Sequence, residues 1–423
     1  MHSARIKQSF RTSSVPYLTV ILFGAFSSAF LAYIVPLIWR DNPVFFGQSP
    51  AIIAPFVVFP FAVLIWSFYD GNTPRNRAFH LVVSAFALLW VFHFGMDRIH
   101  GSQSPYFFLL TLPILGLIWL KPPKSSDARD LFLSLGVTIT LFLLLTRLLE
   151  IAQILPMYDV QEYIVRFDNE NYWLPFSGQL GLEGRWTGPT GSTTRTSVVA
   201  SLLVLIGAKY KSVLRIPFIL VGTLAILLAG SRTGYFTIFG GLFTLILLSD
   251  APSIRRVPFW IRTVFLLALG AITATVLMIL GPGTTGRSGE GGIWSGFFEA
   301  WKSSPLFGVG KDLIPNPDSA TRFSYYSEAH NMFVGEGASY GWVGVTLIIL
   351  TLFLLIFVGL KAAVAGNALP VAILFVYIAA SLTDVYNDWV SANYAYITVL
   401  ICSISAAVPF SFKQTRRTLH IRD

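Results

Sequence analysis

Long apolar blocks separated by short polar joints run through this chain from end to end. The blocks cover about residues 16–39, 50–68, 79–96, 105–120, 131–153, 194–208, 214–230, 234–249, 260–281, 342–360, 369–385 and 393–411. A run of roughly 17 to 25 apolar residues crosses a bilayer as a helix, so the pattern predicts an all-α polytopic membrane protein of about 12 transmembrane helices. The first block follows a basic N-terminus and shows no small-residue cleavage site after Ala32. It is expected to stay as the first helix.

The polar joints carry the orientation. Arg5, Lys7 and Arg11 precede the first block, and Arg75 and Arg77 lie between the second and third. Lys121, Lys124 and Arg129 follow the fourth, Lys209, Lys211 and Arg215 the sixth, and Arg255, Arg256 and Arg262 the eighth. Lys361 follows the tenth, and Lys413, Arg416, Arg417 and Arg422 close the chain. Nineteen of the 30 basic residues thus fall on one side, in short joints. By the positive-inside tendency that side is the cytoplasm, which places both termini there. The chain then divides into 1–153 with five spans, an outer loop 154–193, spans six to nine over 194–281, a large outer loop 282–341, and 342–423 with three spans and a cytoplasmic tail.

Composition sharpens this picture in two ways. Charged residues make up 12% of the 423 residues and apolar ones 54%, with a mean hydropathy of +0.66, whereas a soluble protein carries about 25% charged residues. The net charge of +9 is mostly a topology signal, and nucleic acid is not expected as a partner. The one cysteine, Cys402, lies inside the last block, so disulfides play no part. No GxxxxGK[ST] pattern occurs in the short cytoplasmic joints. Chemistry is therefore expected on the outer side, without ATP.

Basic residues outside need a separate reason. Arg40 and Arg98 sit at block ends, where snorkelling accounts for them. Arg166, Arg185 and Arg195 cluster in the first long loop, Arg232 lies in "GSRTGY", and Arg287, Lys302, Lys311 and Arg322 lie in the second. An arginine facing a cavity at a membrane boundary suits a phosphate, because its planar fork binds oxyanions in a bidentate way. Pairing with Asp159, Glu162, Asp168 or Glu170 is the plainer alternative. "GSRTGY" splits an apolar stretch into two spans with no room for a loop, so Ser231 to Gly234 is expected to form a tight turn. Ser231 and Thr233 are candidate caps of the following helix, where an anion could meet both Arg232 and a helix N-terminus.

Trp294, Phe297, Phe298 and Trp301 recur at helical spacing. They predict a helix that lies in the interface plane or packs this face on the spans, ending at "PLFGVG". The next polar group is His330, Asn331 and Glu336 in "YSEAHNMFVGEGASYGWVGV". His330 belongs to a long outer loop with several arginines, and imidazole is the natural general base near neutral pH. A histidine beside an asparagine is also the ordinary sequence of a helix cap. No HxxxH or carboxylate cluster accompanies it, so no metal is expected. Glu336 does not share a helical face with His330 and is expected to orient an arginine.

Taken in order, "GRWTGPTG" (184–191), "GSRTGY" (230–235), "GRSGEGGIWSGFFEAWKSSPLFGVG" (286–310) and "HNMFVGEGASYGWVG" (330–344) resemble the O-antigen ligase and polymerase superfamily of bacterial envelope glycosyltransferases. The resemblance covers about residues 180–350. Members often follow the first motif with Pro-Asn where this chain has "STTRTS" at 192–197, which leaves Arg195 without an assigned role.

The resemblance implies a GT-C-like helical bundle with a large extracytoplasmic loop of short helices, in the bacterial inner membrane with its active site periplasmic. It implies transfer of a glycan from an undecaprenyl-diphosphate-linked oligosaccharide to an acceptor hydroxyl, with no cofactor. Under it His330 is the catalytic base, Arg185, Arg232, Arg287 and Arg322 bind the donor diphosphate, and Ser231, Asn331 and Glu336 support them. The expected reading is a polymerase of exopolysaccharide or O-antigen repeat units, whose partners are the bilayer, the acceptor glycan and a chain-length regulator. A ligase moving finished glycan to lipid A–core is the alternative within the superfamily. A twelve-span transporter or flippase is the alternative from another class, disfavoured by the absence of related halves and of charges deep in the spans.

Overall fold

The computed structural model describes residues 128–152, Trp186, Gly188, 193–249, 254, 256–280, 293–310, 331–383 and part of 85–100. These residues form helices with no strand among them: α1 (Ala128–Ile151), α2 (Thr193–Lys209), α3 (Arg215–Ala229), α4 (Arg232–Leu247), α5 (Phe259–Leu280), α6 (Ile293–Ser303), α7 (Met332–Val364) and α8 (Leu369–Thr383). Helical residues also occur between 85 and 99. Two helices are long and apolar enough to cross a membrane, at Phe132–Ile151 and Met332–Val364. The helices over 131–153, 194–208, 214–230, 234–249, 260–281 and 369–385 fall within a few residues of the expected blocks. The blocks at 16–39, 50–68, 105–120 and 393–411 lie outside the described residues.

Helix α2 is the centre of the bundle. Every residue from Thr196 to Gly207 is buried, and α1, α3, α4 and α8 pack around it. A helix apolar on all sides belongs inside a bundle, and small residues let its neighbours come close. A methyl at Gly222 of α3 would press on Val204 and the Ala200 carbonyl, and one at Gly234 of α4 would strike Ser197. Helix α4 lies on α8 in the same way, with Gly240 under the Phe375 ring and Gly241 against Val376.

Polar bonds tie the bundle at both ends. At one end Arg129 Nη2 donates to the Lys211 carbonyl at 3.3 Å and Lys209 Nζ to the Gly366 carbonyl at 3.1 Å. Arg262 donates to the carbonyls of Leu247 and Ser249, which closes the C-terminal end of α4. Tyr210 lies in this basic layer, its ring 5.8 Å from that of Phe132, and burial pushes its phenol up. The opposite end of the bundle gathers the ends of α1 and α3 and the starts of α2 and α4. Among the described residues, the basic joints at Arg129, Lys209, Lys211 and Arg262 thus meet at one end of the bundle.

Helix α7 departs from expectation. It starts at Met332, ten residues before the expected block, and is interrupted at Gly341, which has φ 65° and ψ −162°. Four hydrogen bonds bridge the interruption. The Trp342 and Val343 amides donate to the Pro305 and Leu306 carbonyls at 2.8 and 3.1 Å, and the Val309 and Gly310 amides donate to Ala338 and Ser339 at 2.9 Å each. Trp342 to Ala338 and Val343 to Ser339 are the pairs a continuous helix would have made. The loop "PLFGVG" thus replaces two internal helix bonds with four external ones.

The interruption turns the helix back on itself. Gly359 lies against Val371, and the Asn331 side chain donates to the Leu382 carbonyl at 3.2 Å. On an unbroken helix Asn331 and Gly359 would stand about 42 Å apart, yet their contacts on α8 are only about 16 Å apart. The first half of α7, residues 332–340, must therefore fold back towards the bundle.

Candidate functional site

The site is built where the ends of α1 and α3 meet the starts of α2 and α4. Glu150, 3% exposed near the end of α1, accepts from Trp186 Nε1 at 3.0 and 2.8 Å and from Arg147 at 3.1 Å. The Trp186 amide donates to the Leu228 carbonyl at 3.0 Å, near the end of α3. Arg147 and Glu150 therefore pair with one another, and Trp186 is pinned between α1 and α3. Arg185, its neighbour in sequence, lies outside the described residues.

The "GSRTGY" segment is shorter as a turn than expected. Gly230, at φ 55°, caps α3, and Ser231 already caps α4 by accepting from the Gly234 amide at 3.4 Å. Only Gly230 and Ser231 make the turn, because Arg232 to Gly234 form the first helical turn of α4. Ser231 also donates to Thr194 Oγ1 at 3.3 Å, joining the starts of α4 and α2. Two helix N-termini thus lie side by side at this end, an arrangement that favours negative charge.

The second motif arrives at the same end from α7. Asn331 caps α7, its Oδ1 accepting from the Phe333 and Val334 amides at 3.0 and 3.2 Å. Its amide nitrogen holds the Leu382 carbonyl near the end of α8. Helices α4 and α8 run antiparallel with Gly240 opposite Phe375. Eight residues back from Gly240 is Arg232 and seven on from Phe375 is Leu382, about 12 and 10 Å along their axes. The Arg232 backbone therefore lies level with Asn331. His330, the residue before Asn331, lies outside the described residues, as do Arg287 and Arg322.

Glu336 does not meet an arginine among the described residues. It is 2% exposed and hydrogen-bonds His93 Nε2 from the 85–99 segment. Tyr340, one turn further along α7, stacks on the same imidazole at 4.1 Å and 15°. A buried carboxylate takes the partner that the helix packed opposite brings within reach, and Arg185, Arg287 and Arg322 lie outside the described residues. His93 was legible only as a histidine inside an apolar block.

The aromatic helix α6 forms as expected and packs inward. Phe297 is buried with Ala300, Val334 and Ala338, while Trp301 covers Gly337 and meets Trp342 at 4.8 Å. A methyl at Gly310 in the following loop would collide with His100. Residues 293–310 are thereby locked to the folded-back half of α7. Neither a family model nor a curated protein sequence matches the chain.

Proposed function

We propose that this chain is a membrane glycosyltransferase that polymerises polyprenyl-diphosphate-linked oligosaccharide repeat units on the extracytoplasmic face. Its twelve spans place both termini in the cytoplasm of a bacterial inner membrane. The observation that supports this most is the convergence of the "GSRTGY" and "HNMFVGEG" motifs, far apart in sequence, at the non-basic end of the bundle. Arg232 opens one helix there and Asn331 caps another, and both helices pack on α8.

In this reading the acceptor hydroxyl attacks the anomeric carbon while the bond to the diphosphate breaks. His330 takes the hydroxyl proton. Arg185, Arg232, Arg287 and Arg322 hold the charge that develops on the leaving diphosphate, and such fixed charges are usually the largest catalytic contribution. Direct displacement inverts the anomeric configuration.

The test is turnover of a polyprenyl-diphosphate-linked repeat unit by purified protein with EDTA present, comparing wild type with His330→Ala and Arg287→Ala. Lengthening products from wild type alone, with all variants folded, support the polymerase. Transfer only to added lipid A–core makes it a ligase. Transfer to neither favours the transporter, a reading that gains support from the interrupted α7 and the buried His93–Glu336 pair, both features of transport pathways.

A further inference from the structure

The first half of α7 has weakened backbone support from its own second half, because the Trp342 and Val343 amides donate to the Pro305 and Leu306 carbonyls instead. Its placement therefore depends on side chains and on the 305–310 loop. The loop fixes residues 338 and 339, at the C-terminal end of the half-helix. Asn331 ties the N-terminal end to α8. Neither contact ties the half-helix directly to the 85–100 segment, which the loop itself touches at His100.

His93 does. Glu336 and Tyr340 stand one turn apart on a single face of the half-helix, and both engage one imidazole, Glu336 by a hydrogen bond and Tyr340 by stacking. Two contacts of different geometry on one ring fix both the rotation of the half-helix about its axis and its height along it. The pair is shut off from solvent, at 4% and 2% exposure. Room for the carboxylate is set by Gly344, where a methyl would come 2.8 Å from Glu336 Oε1. A buried pair of this kind is costly to break, because a lone polar partner is left in an apolar surrounding.

We propose that His93 and Glu336 are positioning residues that clamp the half-helix 332–340 so that its N-terminus, capped by Asn331, is held level with the Arg232 turn. This rests on the glycosyl-transfer reading for its catalytic consequence, but not for the clamp itself. Glu336 supplies an acceptor to His93, and the imidazole presents its face to Tyr340.

Two readouts test the clamp, with His93→Ala, Glu336→Ala and the double variant forming one cycle and Glu336→Gln as the conservative control. The first is disulfide crosslinking of Asn331→Cys with Leu382→Cys in a Cys402→Ser background, which needs no activity. Crosslinking slows severalfold in each single variant, slows no further in the double, and is kept by Glu336→Gln. Unchanged crosslinking in the single variants, or additive loss in the double, overturns the clamp.

The second readout is transfer kinetics in the otherwise wild-type chain. A misplaced half-helix lowers kcat about a hundredfold with KM little changed, the cost of a displacement of about 1 Å, and Glu336→Gln restores most of it. A loss confined to KM overturns the positioning role. Should Glu336→Ala fail to fold, Glu336→Asp, one methylene shorter, carries the same comparison. Absence of transfer by wild type, with the crosslinking pattern intact, overturns the glycosyl-transfer reading and leaves the clamp standing.

Discussion

Helices α2 and α7 solve opposite problems. Helix α2 keeps its backbone bonds to itself and turns two of its hydroxyls back onto its own carbonyls. Ser197 donates to the Thr193 carbonyl and Ser201 to the Ser197 carbonyl, at 2.8 Å each. Its neighbours contribute shape, through glycines that let α3 and α4 approach. Helix α7 gives up bonds at Gly341 and borrows replacements from the 305–310 loop upstream. A self-sufficient helix is placed by packing, which tolerates small adjustments. A helix completed by another segment is placed by hydrogen-bond geometry, which does not.

Substitutions at glycine separate the two cases most sharply. Gly341→Ala puts a side chain at φ 65° and drives its Cβ into the Leu306 and Phe307 backbone, neither of which can rotate away. It is expected to lower stability by about 3 kcal/mol, through backbone strain and steric displacement together. Thermal melting of the detergent-solubilised protein measures this. Gly240→Ala meets the Phe375 ring in the α4–α8 contact, and overpacking there costs about 2 kcal/mol. If Gly240→Ala proves the more damaging, loop completion of α7 is not the more demanding arrangement.

Smaller effects mark the limits of the contrast. Ser231→Ala removes the α4 cap and its bond to Thr194, for about 1 kcal/mol. Gly270→Ala, in the interior of α5 with nothing within 4 Å of the added methyl, is expected to raise stability by about 0.5 kcal/mol, because alanine loses less freedom on forming a helix. A loss at Gly270 of the size seen at Gly240 would mean that α5 meets a neighbour there.

Part of this organisation is written locally. Apolar blocks of helical length gave bounds close to those of α1 to α5 and α8. Ser231 and Asn331 carry the short polar side chains that cap helices, and both do so. The aromatic spacing from Trp294 to Trp301 gave α6, and "PLFGVG" ended it. The depth of α7 was not legible, because "NMFVGEGASYG" is polar and glycine-rich enough to resemble a loop, and only docking onto α6 and α8 makes it helical.

The sequence by itself determined which segments become helices, how their basic ends group, and where caps begin and end them. These depend on neighbours within a few residues, through periodicity, capping and charge. Tertiary structure alone decided that Glu336 meets His93, that Trp186 meets Glu150, and that Arg232 and Asn331 stand level along α8. Those pairings join residues 36 to 243 positions apart. No local preference carries them, since a buried polar group takes whichever partner the packed helices bring within reach.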